Sequence, residues 1–298
     1  MSRLERRTWK MLEHLRVNRG GAEDTFWAES ADLGWSRVYG GQTMAQALAA
    51  AHATAPDRCV QSFSAYFARP GRVDVPVEYR VERLGDGKSV STRSVKGYQK
   101  SKQIFAFDAS LAAPSDEQLE HVRPLFRPEP FAPGPTMQEI LAPYADRFPA
   151  RNEALRKTYL DRDTPIDYRP VDYVMPWDDA VKSPDFAYYF RTKLPVGDDP
   201  RTHLGVLAYV SDWSFLATAL RPHPISALNA QIVTISHTLY VHDPRNLRVD
   251  KDYLYFRCCS PRSRAGRALV VGEYFDRKGT LLATATQEGV IRKSSSSR

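Results

Sequence analysis

Apolar residues follow a helical period in one stretch of the first half of the chain, and apolar and polar residues alternate in the runs after it. Met44, Leu48, Ala51 and Ala55 recur at helical spacing, which predicts a helix over about residues 42–54. The alternating runs predict antiparallel strands, and the short breaks GDGK and QKSK are typical of hairpins. In chain order these runs are QSFSAYF, PVEYRVERL, SVSTRSVKGY and QIFAFDASL.

The same order of elements recurs in the second half. LAYVSDWSFLATAL predicts a helix over about residues 211–220, and DFAYYFRTKL predicts an extra strand ahead of it. The strand runs after that helix are QIVTISHTLYVH, DYLYFRCCS, RALVVGEYF and TLLATATQEGVI. Gln42 lies 170 positions before Asp212, and Tyr79 lies 174 positions before Tyr253, so the offset is nearly constant. Such an ordered repeat indicates two copies of one domain.

Each copy combines one helix rich in small residues with a curved antiparallel sheet, which is an α+β arrangement. We expect an N-terminal domain over residues 1–115 and a C-terminal domain over residues 165–293, with the candidate chemistry in the second. Their two sheets are expected to pair edge to edge into one sheet, because this covers two otherwise exposed edges.

A proline-rich stretch separates the two copies. Eight of the 21 prolines fall between Pro114 and Pro149, and proline removes a backbone donor and disfavours helix in the residue before it. We expect residues 116–164 to form a surface linker with one helix, since Thr136 and Glu139 fit a capping box. The polar residues 294–298 are expected to form a disordered tail.

The composition is that of an ordinary globular protein, with 42% hydrophobic and 26% charged residues. The formal net charge of +7 mildly favours acidic partners without choosing among them. We expect no transmembrane helix, no stable membrane insertion and no secretory signal, because apolar runs of the required length are absent from the sequence. A cytoplasmic location is the first expectation. Peroxisomal import by another route stays open, although the terminal Ser296-Ser297-Arg298 is not an SKL-type signal.

Several kinds of chemistry are disfavoured by the motifs of the chain. Cys59, Cys258 and Cys259 are too few for a disulfide scaffold and lack metal-ligand spacing, so we expect reduced structural cysteines. The sequence contains no GxSxG, no GxxxxGK[ST] and no HExxH. We therefore expect neither a metal nor a cofactor, and water is the expected nucleophile if the chain is an enzyme.

Asp212 is the acid that stands out, because it lies within an apolar stretch at the predicted start of the second helix. A carboxylate at that position can cap the free backbone donors of its own helix. It can also act as a general base in a partly dry cleft. The two interpretations are compatible, and the residue types alone do not decide between them.

Two polar residues in later strands are further candidates. By strict alternation, Thr234 shares a strand face with Ser236 and Thr238, while His237 lies on the opposite face as a core histidine with an expected backbone partner. Gln287 lies near the end of the last strand, and its amide can donate and accept together, which suits it to orienting a water. Taken singly, the threonine fits an ordinary strand position and the glutamine an ordinary surface position.

Several long blocks of the chain match the motifs of one known family in order and spacing. These blocks are VYGGQTMAQALAAA, SFSAYFARPGRVDVPVEYRVERLGDGKSVSTR, IDYRPVDY, YVSDWSFLATALRPH, TISHTLYVHDPRNL and ATQEGVIR. They span about residues 30–112 and 165–292 and resemble the acyl-CoA thioesterase II family. The resemblance implies a double hotdog, in which two helices are each wrapped by an antiparallel sheet, and this agrees with the repeat found above.

The resemblance also implies an activity and the residues that perform it. It implies hydrolysis of fatty acyl-CoA to fatty acid and coenzyme A, with acyl-CoA as the partner and no nucleic acid, and a homo-oligomer, either a dimer or a tetramer. In the family an Asp, a Ser or Thr and a Gln hold the hydrolytic water, and the matching positions are Asp212, Thr234 and Gln287. The stretch His242-Asp243-Pro244 departs from an Arg-Pro common in the family and involves none of these three.

Two other interpretations stay open, and one expectation concerns the first copy. Gly40-Gly41-Gln42 matches the hydrolytic tripeptide of translation release factors, but the alanine-rich pattern after it favours a packed helix start. A non-hydrolytic acyl-CoA-binding hotdog protein is the alternative to an enzyme, and the intact Asp, Thr and Gln argue against it.

Because Gln42 stands at the position that the repeat pairs with Asp212, we expect the first copy to be catalytically silent.

Overall fold

The computed structural model describes residues 1–34, 37–113, 115, 119–126, 131–148, 153–161 and 163–294. The helices of these residues are α1 (Arg3–His14), α2 (Gly40–Ala53), α3 (Met137–Leu141), α4 (Glu153–Leu160) and α5 (Pro200–Ser211), with 3₁₀ turns at Ala142–Arg147, Leu216–Leu220 and Ala227–Asn229. The strands are β1 (Asn18–Arg19), β2 (Thr25–Ala28), β3 (Cys59–Phe67), β4 (Val77–Asp86), β5 (Val90–Gln99), β6 (Lys102–Ala112), β7 (Ile166–Val171), β8 (Asp185–Thr192), β9 (Ala230–Val241), β10 (Leu254–Arg264), β11 (Arg267–Phe275) and β12 (Leu281–Lys293).

All twelve of these strands form one antiparallel sheet in the order β1-β2-β4-β5-β6-β3-β9-β12-β11-β10-β8-β7. The order reads the same from both ends, since β3 corresponds to β9, β6 to β12 and β5 to β11. At the centre, Ser64 of β3 hydrogen-bonds Thr238 of β9 at 3.0 Å, and these residues are 174 positions apart. That separation equals the offset of the sequence repeat, so the repeat and the edge-to-edge joining of the two sheets are confirmed.

The two central helices lie together against this sheet. Small side chains let α2 pack closely, and Met44, Ala47 and Leu48 are almost completely buried. Residues of α2 and α5 share one hydrophobic core with the inward-facing residues of the strands. Two helices backed by one antiparallel sheet make this chain a double hotdog of the α+β class, as the sequence predicts.

The second central helix lies earlier in the chain than the sequence pattern predicts. The expected helix over 211–220 is wrong: α5 ends at Ser211, and Asp212 is its C-cap. Asp199 caps the true start by accepting from the Arg201 N–H at 3.0 Å, and Pro200 follows at the first helical position. The apolar spacing continues past the break into the 3₁₀ turn at Leu216–Leu220, which is why the pattern conceals where the helix ends.

The segment between the two halves contains more structure than one helix. The capping box is confirmed, because Thr136 Oγ1 accepts from the Glu139 N–H and the Glu139 carboxylate accepts from the Thr136 N–H. A second helix, α4, follows where the sequence suggested only one. The domain boundaries themselves stay a prediction. The expected disordered tail lies, except for Ser294, outside the described residues.

Other expectations concern membranes, metals and cysteines. No helix among the described residues is both long enough and apolar enough to cross a membrane. Within the same residues, no group of three or more His, Cys, Asp or Glu side chains could hold a metal ion. Cys59, Cys258 and Cys259 are all free thiols, and Cys258 is buried while its neighbour is only partly so, as expected for opposite strand faces.

Candidate active site

Asp212 caps the helix of the other half of the chain. Its Oδ2 accepts a hydrogen bond from the Gly41 N–H at 3.0 Å, in the first turn of α2. The N-cap residue of α2, Tyr39, makes no capping bond with its side chain, so the carboxylate of Asp212 takes that place. The capping interpretation is therefore correct in kind but wrong in location, because the capped helix is α2 and Asp212 stands at the end of α5.

Two glycines make this approach of the helices feasible. A Cβ atom at Gly40 would lie 2.6 Å from Asp212 Oδ2 and 3.1 Å from the ring of Phe67. A Cβ atom at Gly41 would overlap the carbonyl oxygen of Tyr209 in α5 and lie 2.7 Å from the Tyr39 ring. The sequence pattern predicts these glycines at a helix start but not their contact with Asp212. No local signal in the sequence points to that contact.

The three candidate residues converge as expected. Gln287 Nε2 donates to Asp212 Oδ1 at 2.5 Å and to Thr234 Oγ1 at 2.9 Å. The glutamine is 1% exposed, which excludes the surface role considered from the sequence. Its Oε1 is buried and has no hydrogen-bond partner among the described residues, so it remains an acceptor. A carboxylate, an amide and a hydroxyl therefore meet at the end of α5.

A β-bulge brings Thr234 to this group. The pairing of β9 with β12 shifts register between Ser236–Glu288 and Thr234–Gly289, which leaves Ile235 as an extra residue. A bulge reverses the alternation of side chains beyond it. The expectation that Thr234 shares a face with Ser236 and Thr238 is therefore wrong, because its hydroxyl reaches the buried Gln287 on the inner face.

The surroundings of Asp212 raise the pKa of its carboxyl group toward neutral pH. Burial raises the pKa of Asp212 to about 7, and the hydrogen bonds from Gln287 and Gly41 oppose part of that rise. A general base is most effective when its pKa lies near the working pH. Gln287 turns its N–H donors toward Asp212 and Thr234, so the arrangement suits holding a water rather than a metal.

His237 is a core histidine, as expected, but its partner differs from the expected backbone group. It is fully buried, and its Nε2 lies 3.0 Å from the hydroxyl of Ser211. It stands directly opposite Gln287 in the pairing of β9 with β12. This contact joins the strand that carries Thr234 to the last residue of α5.

The first half carries no polar side chain at the strand positions equivalent to Thr234, His237 and Gln287. The 174-residue offset matches Phe63 with His237, and Phe63 stands opposite Ala109 where His237 stands opposite Gln287. The same offset matches Thr234 with Val60. Alanine and valine cannot orient a water, which supports a single active site in each chain.

A buried arginine takes up the corresponding space in the first half. Arg93 is 1% exposed and stands opposite Ala109 in the pairing of β5 with β6. Its Nε donates to Thr54 Oγ1 at 2.8 Å, at the C-cap of α2. Its Nη2 donates to Asp86 at 2.7 Å. Arg93 and its partners therefore fill the space in the first half that corresponds to the polar group around Asp212 in the second half.

The expected pairing of Gln42 with Asp212 by the repeat is wrong, because Gln42 lies in the first turn of α2 whereas Asp212 is the C-cap of α5. Gln42 has a structural task, and we expect its loss to affect stability more than catalysis. It is fully buried, and its amide accepts from the Ala31 N–H at 3.0 Å and donates to the Glu29 carbonyl at 3.3 Å. Gln42→Ala should cost about 1–3 kcal/mol of unfolding free energy, because a fully buried side chain is truncated and the part-buried Ala31 N–H loses its acceptor. Its kcat should fall far less than that of Asp212→Ala in protein shown to be folded; equal losses would contradict this division.

Comparisons with known proteins cover both halves of the chain. Residues 30–112 match the acyl-CoA thioesterase N-terminal domain, and residues 145–291 match the acyl-CoA thioesterase C-terminal domain. Together these matches span most of the sequence. The chain belongs to the acyl-CoA thioesterase family.

Individual members of the acyl-CoA thioesterase family match this chain over nearly its whole length. The human acyl-coenzyme A thioesterase 8 is 34% identical over 91% of this chain and 85% of its own. Acyl-CoA thioesterase 2 of Haemophilus influenzae is 33% identical over 90% of this chain and 92% of its own. The crystal structure of the acyl-CoA thioesterase II TesB2 from Mycobacterium marinum superposes with a TM-score of 0.73 at 26% identity, covering 97% of this chain and 99% of that one.

Proposed function

We propose that this thioester hydrolase cleaves fatty acyl-CoA into a free fatty acid and coenzyme A with a water activated by Asp212. The observation that carries the proposal is the direct hydrogen bonding of Gln287 to both Asp212 and Thr234 beside the start of α2. Because the chain belongs to the acyl-CoA thioesterase family, we assign it the substrate class that its relatives' names give, which is acyl-CoA. The roles of the three residues are those that the family resemblance implies, and their hydrogen bonding supports them.

The first step is the attack of water on the thioester carbonyl. As the water oxygen bonds to the carbonyl carbon, Asp212 takes the proton that the water gives up. Negative charge then develops on the carbonyl oxygen. The first turn of α2 presents backbone N–H groups and the positive end of the helix dipole beside this reaction, which favours an oxyanion.

The second step is the collapse of the tetrahedral intermediate. The carbon–sulfur bond breaks, and the sulfur of coenzyme A leaves with the bonding electrons. The proton held by Asp212 returns to that sulfur, so that the base is regenerated and the products are a carboxylic acid and a thiol. Atoms and charge balance without a metal, a cofactor or an acyl-enzyme.

Thr234 and Gln287 orient the water for this attack. The Gln287 amide donates to Asp212 Oδ1, which fixes the carboxylate, and its Oε1 remains able to accept from a water. Thr234 accepts from the same amide and can donate its hydroxyl proton. Correct placement of a reactant can supply several kcal/mol of barrier reduction, so both residues contribute through position rather than through proton transfer.

The pH dependence follows from the raised pKa of Asp212. Only the ionised carboxylate can accept a proton, and its pKa is about 7 rather than the ordinary 3.8. We expect kcat/KM to fall below neutral pH and to level off above it, with an apparent pKa near 7. Initial rates of acyl-CoA hydrolysis between pH 5 and 9 test this, and a flat profile down to about pH 5 would show that the base is another group.

The activity itself is tested by mixing the purified protein with a medium-chain acyl-CoA and a thiol reagent. Catalytic release of free thiol, repeated over many turnovers for each protein molecule, is the expected result. Tight binding of acyl-CoA without thiol release would instead support the non-hydrolytic acyl-CoA-binding protein that the sequence left as an alternative.

We further propose that the protein is a homo-oligomer, either a dimer or a tetramer. Tyr66 of β3 and Tyr240 of β9 are separated by the 174-residue offset and are 57% and 49% exposed on the outer face of the central strands. Such a symmetric pair of exposed aromatic side chains suits contact with a second copy. The cytoplasmic location stays a prediction.

A further inference from the structure

One buried polar pair adjoins the candidate active site and has no part in the chemistry proposed above. Ser211 and His237 are both fully buried, and the serine hydroxyl lies 3.0 Å from His237 Nε2. The peptide bond after Ser211 leads directly to Asp212. His237 stands opposite Gln287 in the pairing of β9 with β12. The pair therefore links the backbones that carry two of the three catalytic candidates.

The direction of the hydrogen bond follows from the partners of the serine. Ser211 Oγ lies 2.9 Å from the carbonyl oxygen of Ala208, which can only accept, so the single hydroxyl proton is directed there. The hydroxyl oxygen must then accept from His237, which assigns the ring proton to Nε2. The imidazole thus acts as a donor at a fixed point beneath the end of α5.

The surroundings of His237 hold the ring in place and keep it uncharged. Phe63 stacks on it with ring centroids 6.3 Å apart, and Phe215 meets it edge-on at 5.8 Å. Burial lowers the pKa of His237 to about 3. A ring with so low a pKa is a very weak base at neutral pH, so we assign it a geometric contribution.

We propose that Ser211 and His237 are positioning residues, which fix the distance between the Asp212 carboxylate and the Gln287 amide. The four residues are joined in a ring of bonds. Asp212 is hydrogen-bonded to Gln287, and Gln287 is paired with His237 across β9 and β12. His237 is hydrogen-bonded to Ser211, and the peptide bond from Ser211 to Asp212 completes the ring. Without the Ser211–His237 bond, the Gly41 N–H and the Gln287 amide still hold the carboxylate, but the distance between the end of α5 and the β9–β12 pair is no longer fixed by a buried hydrogen bond. This inference rests on the proposed function and adds two residues to it.

Three variants of the full-length chain separate positioning from simple packing. His237→Phe keeps a ring between Phe63 and Phe215 but removes the donor. His237→Gln restores a donor near the former Nε2 position, and Ser211→Ala removes the acceptor with little change of shape. Ser260→Ala is the matched control, because it removes another buried hydroxyl, bonded to the Leu269 carbonyl in the same half, that touches none of the four residues.

The measurements are kcat and KM for a medium-chain acyl-CoA, together with the unfolding temperature of each variant. We expect kcat to fall about 10-fold in Ser211→Ala and in His237→Phe, with KM within about two-fold, because small misplacements of a catalytic group are costly. The double variant should lose no more than either single one, since both remove one bond. His237→Gln and Ser260→Ala should keep most of the activity.

The inference is overturned if His237→Gln loses as much kcat as His237→Phe, if the two losses add in the double variant, or if Ser260→Ala loses as much as Ser211→Ala. Should His237→Phe fail to fold, Ser211→Ala compared with Ser260→Ala decides the question. Asp212→Asn is measured alongside: normal kcat there refutes the proposed function. An inactive Asp212→Asn with normal Ser211→Ala and His237→Phe refutes the positioning role alone.

Discussion

Asp212→Asn is expected to lose at least about 10²-fold in kcat while acyl-CoA binding is largely kept. Asparagine has the shape of aspartate and can accept from the Gly41 N–H with its carbonyl oxygen, but it cannot take a proton from water. The base acts mainly on the transition state, so KM should change much less than kcat. Steady-state hydrolysis of a medium-chain acyl-CoA, with binding measured separately, checks both expectations.

Asp212→Asn is also expected to change the unfolding temperature, and this change shows whether the variant is folded. The pKa of Asp212 is about 7 in the folded chain, against an ordinary value of 3.8, so the folded state holds the proton more tightly than the unfolded state. Ionising Asp212 therefore lowers the stability of the wild-type chain progressively as pH rises from about 4 through 7. The neutral asparagine avoids this loss, and the Gln287 amide can turn its unpaired Oε1 toward the new NH2 group, so the variant should unfold at a higher temperature than wild type at pH 8.

The control for Asp212→Asn is Asp199→Asn, at the opposite end of α5. Asp199 caps the start of the helix, and asparagine is an equally good N-cap. This variant removes a carboxylate from the same helix without touching the candidate site, so its kcat should stay near wild type. A comparable fall in both variants would indicate a general effect on α5 rather than the loss of a base.

Gly41→Ala is expected to have the second large effect. The new Cβ would overlap the Tyr209 carbonyl oxygen and press on the Tyr39 ring, so α2 and α5 must move apart. Such overpacking costs about 1–3 kcal/mol of unfolding free energy. The shift also lengthens the 3.0 Å bond between the Gly41 N–H and Asp212, and we expect kcat to fall by about 10²-fold.

Gly205→Ala on the facing helix is the matched control for Gly41→Ala. Gly205 is also buried in a helix, but a Cβ placed there meets nothing within 4 Å. Because alanine favours helix over glycine, this variant should be as stable as wild type or more stable by up to about 1 kcal/mol. Thermal unfolding and kcat of both variants give the comparison, and a harmless Gly41→Ala would contradict the tight contact between α2 and α5.

The sequence predicts the strands well because period-two alternation is a local property. An offset of 174 reappears in the Ser64–Thr238 contact at the centre of the sheet, but the expected match of Tyr79 with Tyr253 is wrong, because the strand registers place Phe256 at the position equivalent to Tyr79. The second helix is misplaced because its apolar spacing runs past the true end at Ser211 into a 3₁₀ turn. The sequence also contains a helix-start signal, Asp199 followed by Pro200. The structure begins α5 at this signal rather than where the apolar pattern predicts the helix.

Two features of the candidate site depend on long-range packing that a single sequence does not display. The bulge at Ile235 arises from the pairing of β9 with β12, and without it Thr234 would face away from Gln287. The contact between Gly41 and Asp212 joins residues 171 positions apart through the packing of two helices. Motif resemblance identified the three candidate side chains, whereas only the fold shows which backbone groups surround them.

The central claim is that Asp212, Thr234 and Gln287 act together on one water, and a mutant cycle on hydrolysis tests it most directly. The measurement is kcat for Asp212→Asn, Thr234→Ala and Gln287→Ala, singly and in pairs, with a medium-chain acyl-CoA. We predict that Thr234→Ala and Gln287→Ala each lose less than Asp212→Asn, and that neither adds its full loss to that of Asp212→Asn. Near-normal kcat in folded Asp212→Asn, or fully additive losses in the pairs, would contradict the account.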